Sequence, residues 1–209
     1  MGFRTRLGRL ATLAALAIGT IAALPSTASA GLVVKTTASC EQQATSKPFS
    51  RWGDNRDYTL APGGSFESGA PGWSLSGASV VSGNESFYVG GSSHRYSLRL
   101  DPGETATSPE ICVGLEHPVI RLFARNNRLL LSTLSVEVIA RTSLGLKVAV
   151  PVGLVLPRSS WKPTPAYLVV ANLLPLLPDN YTPVAFRFRA IGFGSWWIDD
   201  FYVDPRRRS

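Results

Sequence analysis

Histidine and cysteine are scarce: the 209 residues contain two of each. His94 and His117 are therefore the only imidazoles available as bases or metal ligands. Neither falls in an H-E-x-x-H spacing, and Cys40 and Cys112 are too far apart for a C-x-x-C motif, which excludes zinc and thiol-redox centres of those kinds. His94 lies in a Gly/Ser stretch and His117 precedes Pro118, settings of exposed loop histidines rather than catalysts. The absence of a G-x-S-x-G elbow removes the α/β-hydrolase nucleophile. Glycoside hydrolysis needs two carboxylates across a sugar bond, and Glu85, Glu104, Glu110, Glu116 and Glu137 are scattered without a pairing pattern. No long stretch carries the i, i+3, i+4, i+7 pattern of an amphipathic helix. Beyond Leu24 no apolar run approaches the roughly 20 residues of a membrane span. A non-catalytic protein is expected.

The N-terminus carries the parts of a secretory signal peptide over residues 1–30. Arg4, Arg6 and Arg9 supply the positive region, Leu10 to Leu24 the apolar region, and Ala28-Ser29-Ala30 the small-residue cleavage site. An uncleaved anchor would need about 20 apolar residues; this stretch has about fifteen. The mature chain is expected to start at Gly31, secreted or held near the cell wall, with 179 residues, enough for one core. Without the leader's three arginines the net charge falls from +7 to +4, and Arg206, Arg207 and Arg208 hold three of those four. The body is thus nearly neutral, and nucleic acid is not an expected partner. Residues 205–209 read as a solvated basic tail. Two cysteines in an exported chain predict a Cys40–Cys112 disulfide, which would close a loop of about seventy residues and contribute roughly 4 kcal/mol. Two separate thiols are the alternative. A monomer is expected.

What is abundant is punctuation: nineteen Gly and fifteen Pro. Residues 31–56 are polar without clear periodicity and read as an N-terminal arm, pinned by Cys40. Over residues 57–204 short apolar segments alternate with Gly, Pro, Asn and Ser. Strands are predicted at 72–76, 78–82, 86–89, 95–101, 107–113, 119–125, 133–142, 146–150, 166–171, 183–191 and 195–203, with an apolar loop over 172–178. Some ten strands in this length suit an all-β, two-sheet antiparallel jelly-roll β-sandwich. Alternate residues face opposite sides of a sheet. Val184, Phe186 and Phe188 therefore share a core face, leaving Arg187 and Arg189 outside. Likewise Leu98 and Leu100 oppose Arg95 and Arg99, and Ile120, Leu122 and Ala124 oppose Arg121, Phe123 and Arg125.

Two motifs carry a family likeness. Phe66-Glu67-Ser68-Gly69-Ala70-Pro71-Gly72-Trp73 resembles the opening of jelly-roll carbohydrate-binding modules and, more distantly, of the MAM domain. Trp197-Ile198-Asp199-Asp200-Phe201-Tyr202-Val203 resembles their closing strand. The frame under an Ala-rich leader is also similar to that of exported actinobacterial proteins. The resemblance implies a galactose-binding-like sandwich whose first and last segments lie side by side. It also implies a structural Ca²⁺ held by Glu67 and, because alternation forbids both aspartates facing one way, by Asp200, with help from the carbonyls of residues 90–92. Alternatively these carboxylates bind backbone N–H groups or arginines. Trp73 and Trp197, within the framing motifs, are expected in core or sheet-closing packing; Trp52, Trp161 and Trp196 are less constrained.

The functional expectation is a secreted binding module for an extracellular or cell-wall polysaccharide. Its surface would be Arg95, Arg99, Arg121, Phe123, Arg125, Arg187 and Arg189, provided their strands share one sheet. Otherwise the arginines form cross-strand ion pairs with groups such as Glu137. A structural or adhesive envelope protein is the second reading. A polysaccharide lyase using arginines such as Arg121 and Arg187 is the third.

Overall fold

The computed structural model describes residues 44–114, 118–127, 130–169 and 181–204. The expected leader, Cys40, His117, the apolar loop 172–178 and the basic tail lie outside the described residues. After one 3₁₀ turn, Ser50–Trp52, come β1 (Thr59–Leu60), β2 (Ser74–Ser76), β3 (Ser79–Ser82), β4 (Tyr96–Leu100), β5 (Thr105–Thr107) and β6 (Ile111–Val113). The long strands β7 (Val119–Asn126), β8 (Ser132–Arg141) and β9 (Lys147–Val155) follow. Two-residue β10 (Lys162–Pro163) and β11 (Tyr167–Leu168) lead to β12 (Thr182–Gly192) and β13 (Trp196–Asp204).

These strands make two antiparallel sheets. The first runs β10-β7-β13-β4-β3, with β1 on β13 and β11 on β7. The second runs β2-β5-β12-β8-β9, with β6 on β12. This is the expected jelly-roll sandwich. Period-two alternation builds its interior. Val184, Phe186, Phe188 and Ala190 of β12 and Leu134, Val136, Val138 and Ala140 of β8 meet Leu98, Leu100, Ile120, Leu122 and Ile198 of the first sheet. Each large apolar side chain so buried contributes about 1.5–3 kcal/mol.

The opening and closing motifs meet as expected. Ala61 N–H donates to Phe201 O at 2.9 Å, and Phe201 N–H donates to Gly64 O at 3.0 Å. A Cβ on Gly64 would sit 2.9 Å from both the Ala61 and Phe201 carbonyl oxygens, so glycine is what allows this close approach. Trp73 stands over Phe66 at 5.1 Å and donates its Nε1–H to Pro62 O.

Several local expectations are corrected. The stretch 107–113 is two strands, because Ser108-Pro109 interrupts it: proline has no N–H, and Ser108 Oγ accepts the Phe186 N–H. Residues 86–89 form a loop, pinned by the Glu85 carboxylate, which accepts the N–H groups of Phe87 and Val89. The arm is not a loose polar segment where it is described. Ser46 and Tyr58 exchange backbone hydrogen bonds at 2.8 Å, and Phe49 is fully buried on the outer face of the first sheet. There Phe49, Tyr58, Val119, Phe123 and Tyr202 form a second apolar cluster.

Candidate functional site

Covering the first sheet with the arm removes two residues from the expected ligand surface. Phe123 is fully buried, stacked at 5.5 Å on Phe49 and edge-on to Trp52. Arg121 is buried as well. Its Nη1 pairs with Asp54 Oδ2 at 2.8 Å, its Nε donates to Thr164 O, and its guanidinium lies 4.3 Å from the Phe49 ring centroid. Burial alone would raise Asp54, yet hydrogen bonds from Tyr58 and Arg121 hold its carboxyl below the usual range. These side chains fasten the arm. The sequence shows that Arg121 and Phe123 face outward, but not that 44–58 returns to cover them.

Beyond the arm's edge the same face carries a row that crosses three strands. Trp197 of β13 is flanked in register by Arg99 of β4 and Arg125 of β7. Trp161, immediately before β10, completes the row. Cations and rings alternate along it: Arg99 lies 5.6 Å and Arg125 4.1 Å from the Trp197 centroid, and Arg125 lies 5.4 Å from that of Trp161. All four side chains are half-buried. Burial pushes the Arg125 guanidinium down from its ordinary value. Of the two expected settings for Trp197, core and sheet-closing packing, the core is not the one observed: it lies on the outer face, and Trp196, with the parity of Ile198, is the buried one.

Trp161 also lines a cleft of about 720 Å³, together with Trp52, Phe87, Arg158, Lys162 and Ser160. The size and the mix of rings with a few polar groups are those of ligand sites. The sequence offers Trp52 and Trp161 only as less constrained tryptophans, and nothing in it sets them beside each other and Phe87.

The remaining expected arginines lie elsewhere. Arg187 and Arg189 are on β12, in the other sheet. Arg187 faces its register partner Glu137, Nε to Oε2 2.6 Å, and Arg189 is exposed. The seven expected ligand residues therefore do not share one sheet. Arg95 folds onto its own loop, donating to the carbonyls of Ser92 and His94.

A buried carboxylate cluster lies behind the closing motif. β13 carries a bulge between Asp199 and Tyr202, and Asp200 has φ 45°. The extra residue breaks strict alternation, so both aspartates reach the 84–94 loop, which corrects the expectation that only one does. Asp199 Oδ2 accepts the Glu85 N–H at 2.8 Å, and Asp200 Oδ2 accepts the Gly90 N–H at 3.1 Å. Burial, then the neighbouring Asp200 charge, pushes Asp199 up to about 9. Burial, then Glu85 and more weakly Glu67, pushes Asp200 up to about 7. Glu85 is fully buried here, and nothing in its local sequence points to the aspartates more than a hundred residues away.

The implied Ca²⁺ fits this cluster in part. Asp200 Oδ1 is buried with no hydrogen-bond partner, 4.0 Å from His94 Nδ1. A cation there would satisfy that oxygen and offset the crowded negative charge. Glu67, however, already accepts the backbone N–H groups of Arg95 and Tyr96 at 2.8–2.9 Å. Among the described residues no three His, Cys, Asp or Glu side chains converge as a metal cage. Cys112 lies on β6, and among the described residues no cysteine is free.

No family model and no curated protein matches this chain. Solved structures do. The tandem CBM22-1–CBM22-2 domain of Paenibacillus barcinonensis Xyn10C superposes with a TM-score of 0.52 at 12% identity, covering 82% of this chain and 48% of that one. The CBM22-1–GH10 modules of Clostridium thermocellum endo-1,4-β-D-xylanase 10B, solved with xylohexaose, give 0.50 at 13% identity, covering 69% of this chain and 28% of that one. At such identities the likeness is one of fold: a jelly roll of the carbohydrate-binding-module kind.

Proposed function

We propose that this protein is a secreted, non-catalytic module that binds an extracellular or cell-wall polysaccharide. The observation that carries the reading is the half-exposed row Arg99–Trp197–Arg125–Trp161, running into a ring-lined cleft on one sheet. Aromatic faces suit the apolar faces of pyranose rings, and guanidinium and hydroxyl groups suit their oxygens. The fold-level likeness to carbohydrate-binding modules, one set solved with xylohexaose, is consistent with this use. Within the proposal, residues 1–30 are removed on export, and a Ca²⁺ beside Asp200 and Glu67 has a stabilising role only. Affinity gel electrophoresis over a panel of polysaccharides tests the reading. At least one polymer should retard the protein, and Trp161→Ala should weaken that retention at least about tenfold, as loss of a central aromatic anchor does. Unretarded migration through every polymer removes the reading.

The adhesive alternative has one observation in its favour. Leu130, Leu131 and Phe193 are 81%, 78% and 64% exposed, and the Phe193 N–H donates to Leu131 O, so the three gather at one sheet end. The lyase reading loses its residue set, since Arg121 is buried under the arm and Arg187 lies in the other sheet.

A further inference from the structure

We infer that the cleft beside Trp161 selects glycans bearing carboxylates, polymers of uronic acid, over neutral ones; this rests on the polysaccharide-binding reading above. Several arginines on the domain are ion-paired. Arg187 is paired with Glu137, Arg141 with Glu110, Arg99 with Asp101 and Arg121 with Asp54. The cleft has a lining rich in cations and poor in acid. None of its lining residues is acidic, whereas Arg121, Arg158 and Lys162 all line it.

Arg158 donates one Nη1–H to Pro163 O at 3.0 Å. Neither Arg158 nor Lys162 has a carboxylate within ion-pair distance among the described residues. At the cleft's edge Arg125, held against Trp161, likewise has no carboxylate partner there, and its buried Nε has no hydrogen-bond partner. Three uncompensated cations thus gather around a space lined by rings. A neutral sugar seated there would strip water from these charges and return only hydroxyl contacts. A uronate returns a planar carboxylate that matches a guanidinium fork, while its ring meets the aromatic walls.

The experiment compares matched polymers that differ in charge alone. Polygalacturonate, alginate and hyaluronan are presented in affinity gels beside their methyl-esterified forms, with xylan as the neutral control and dextran sulfate as the plain polyanion. The expected result is retention by at least one uronate, weakened about tenfold or more by esterification, the loss of one charge-assisted hydrogen bond. Lys162→Gln and Arg158→Gln should each weaken retention by the uronate several-fold more than retention by its ester, while their melting temperatures stay with the parent's. Equal retention of acid and ester forms overturns the inference, as does dextran sulfate held as tightly as any uronate. Retention by xylan alone overturns it and leaves the polysaccharide reading standing. Retention by nothing in the panel overturns both.

Discussion

Replacing Phe49 by alanine should cost the domain about 3–5 kcal/mol, the usual range for truncating a buried phenylalanine. The structure sets the value toward the upper part of that range. Phe49 is fully buried and touches four rings: Trp52 at 6.4 Å, Tyr58 at 5.1 Å, Phe123 at 5.5 Å and Tyr202 at 5.6 Å between centroids. It also lies under the Arg121 guanidinium, so its removal leaves that cation without its ring. The neighbours belong to two separate strands, β7 and β13, and to the arm itself, which limits how far the cavity can close. In a domain of this size 1 kcal/mol moves the melting temperature by about 2–4 °C, so a fall of roughly 10 °C is expected. Urea denaturation followed by tryptophan fluorescence measures the free energy, and limited proteolysis reports whether cleavage begins in the arm. A loss below about 1 kcal/mol, the level of a surface change, would refute the assignment of the arm to a second apolar layer.

Two further predictions concern the other interior features. Asp200 sits near 7 rather than 3.8, so the fold favours its protonated form: that contribution is complete below about pH 4 and disappears as pH rises through 7. In chelator, the Asp200 share of the fall in stability between those limits is roughly 4 kcal/mol, and Asp199, pushed up to about 9, adds to it. Asp200→Asn should flatten the slope, and millimolar Ca²⁺ should restore the parent at neutral pH; parallel slopes for parent and variant would contradict the buried-carboxylate account. The Cys40–Cys112 bridge expected from the sequence predicts that Cys40→Ser lowers stability by roughly 4 kcal/mol under oxidising conditions and by nothing in dithiothreitol, read by urea denaturation; equal stability of parent and variant under oxidising conditions would contradict the bridge.

Much of the sandwich was legible because alternation is a local property. Phe186 and Phe188 announce their face by spacing, and β12 falls within a residue of its predicted limits. The Trp196–Trp197 pair was legible too, since Trp196 shares the parity of Ile198, but the framing motif drew attention to Trp197. What stayed hidden depends on contacts between distant segments. Phe49 and Trp52 lie in a stretch without periodicity, so nothing local says they cover Phe123. The bulge at Asp199–Tyr202 is a backbone event, and it alone brings both aspartates to Glu85. The split of the arginines between two sheets follows from strand order, which alternation does not encode. For the same reason the sequence does not bring Arg158 and Lys162 together; the pairing of β10 with β7 does.

The irregularity in the last strand makes one nine-residue ribbon obey two phases. Before it, even-numbered side chains, Trp196 and Ile198, point into the sandwich; after it, odd-numbered ones, Phe201 and Val203, do. Deleting one residue there would remove the extra residue and restore plain alternation with all four inside, at the cost of the approach of Asp199 and Asp200 to the 84–94 loop; a one-residue slip on either side of it would instead send one pair to water and bring Tyr202 or Trp197 inward. Grafts and chimaeras through this strand must therefore carry the whole stretch Asp199–Tyr202 or none of it, while cuts in the turn before Trp196 leave the phase intact.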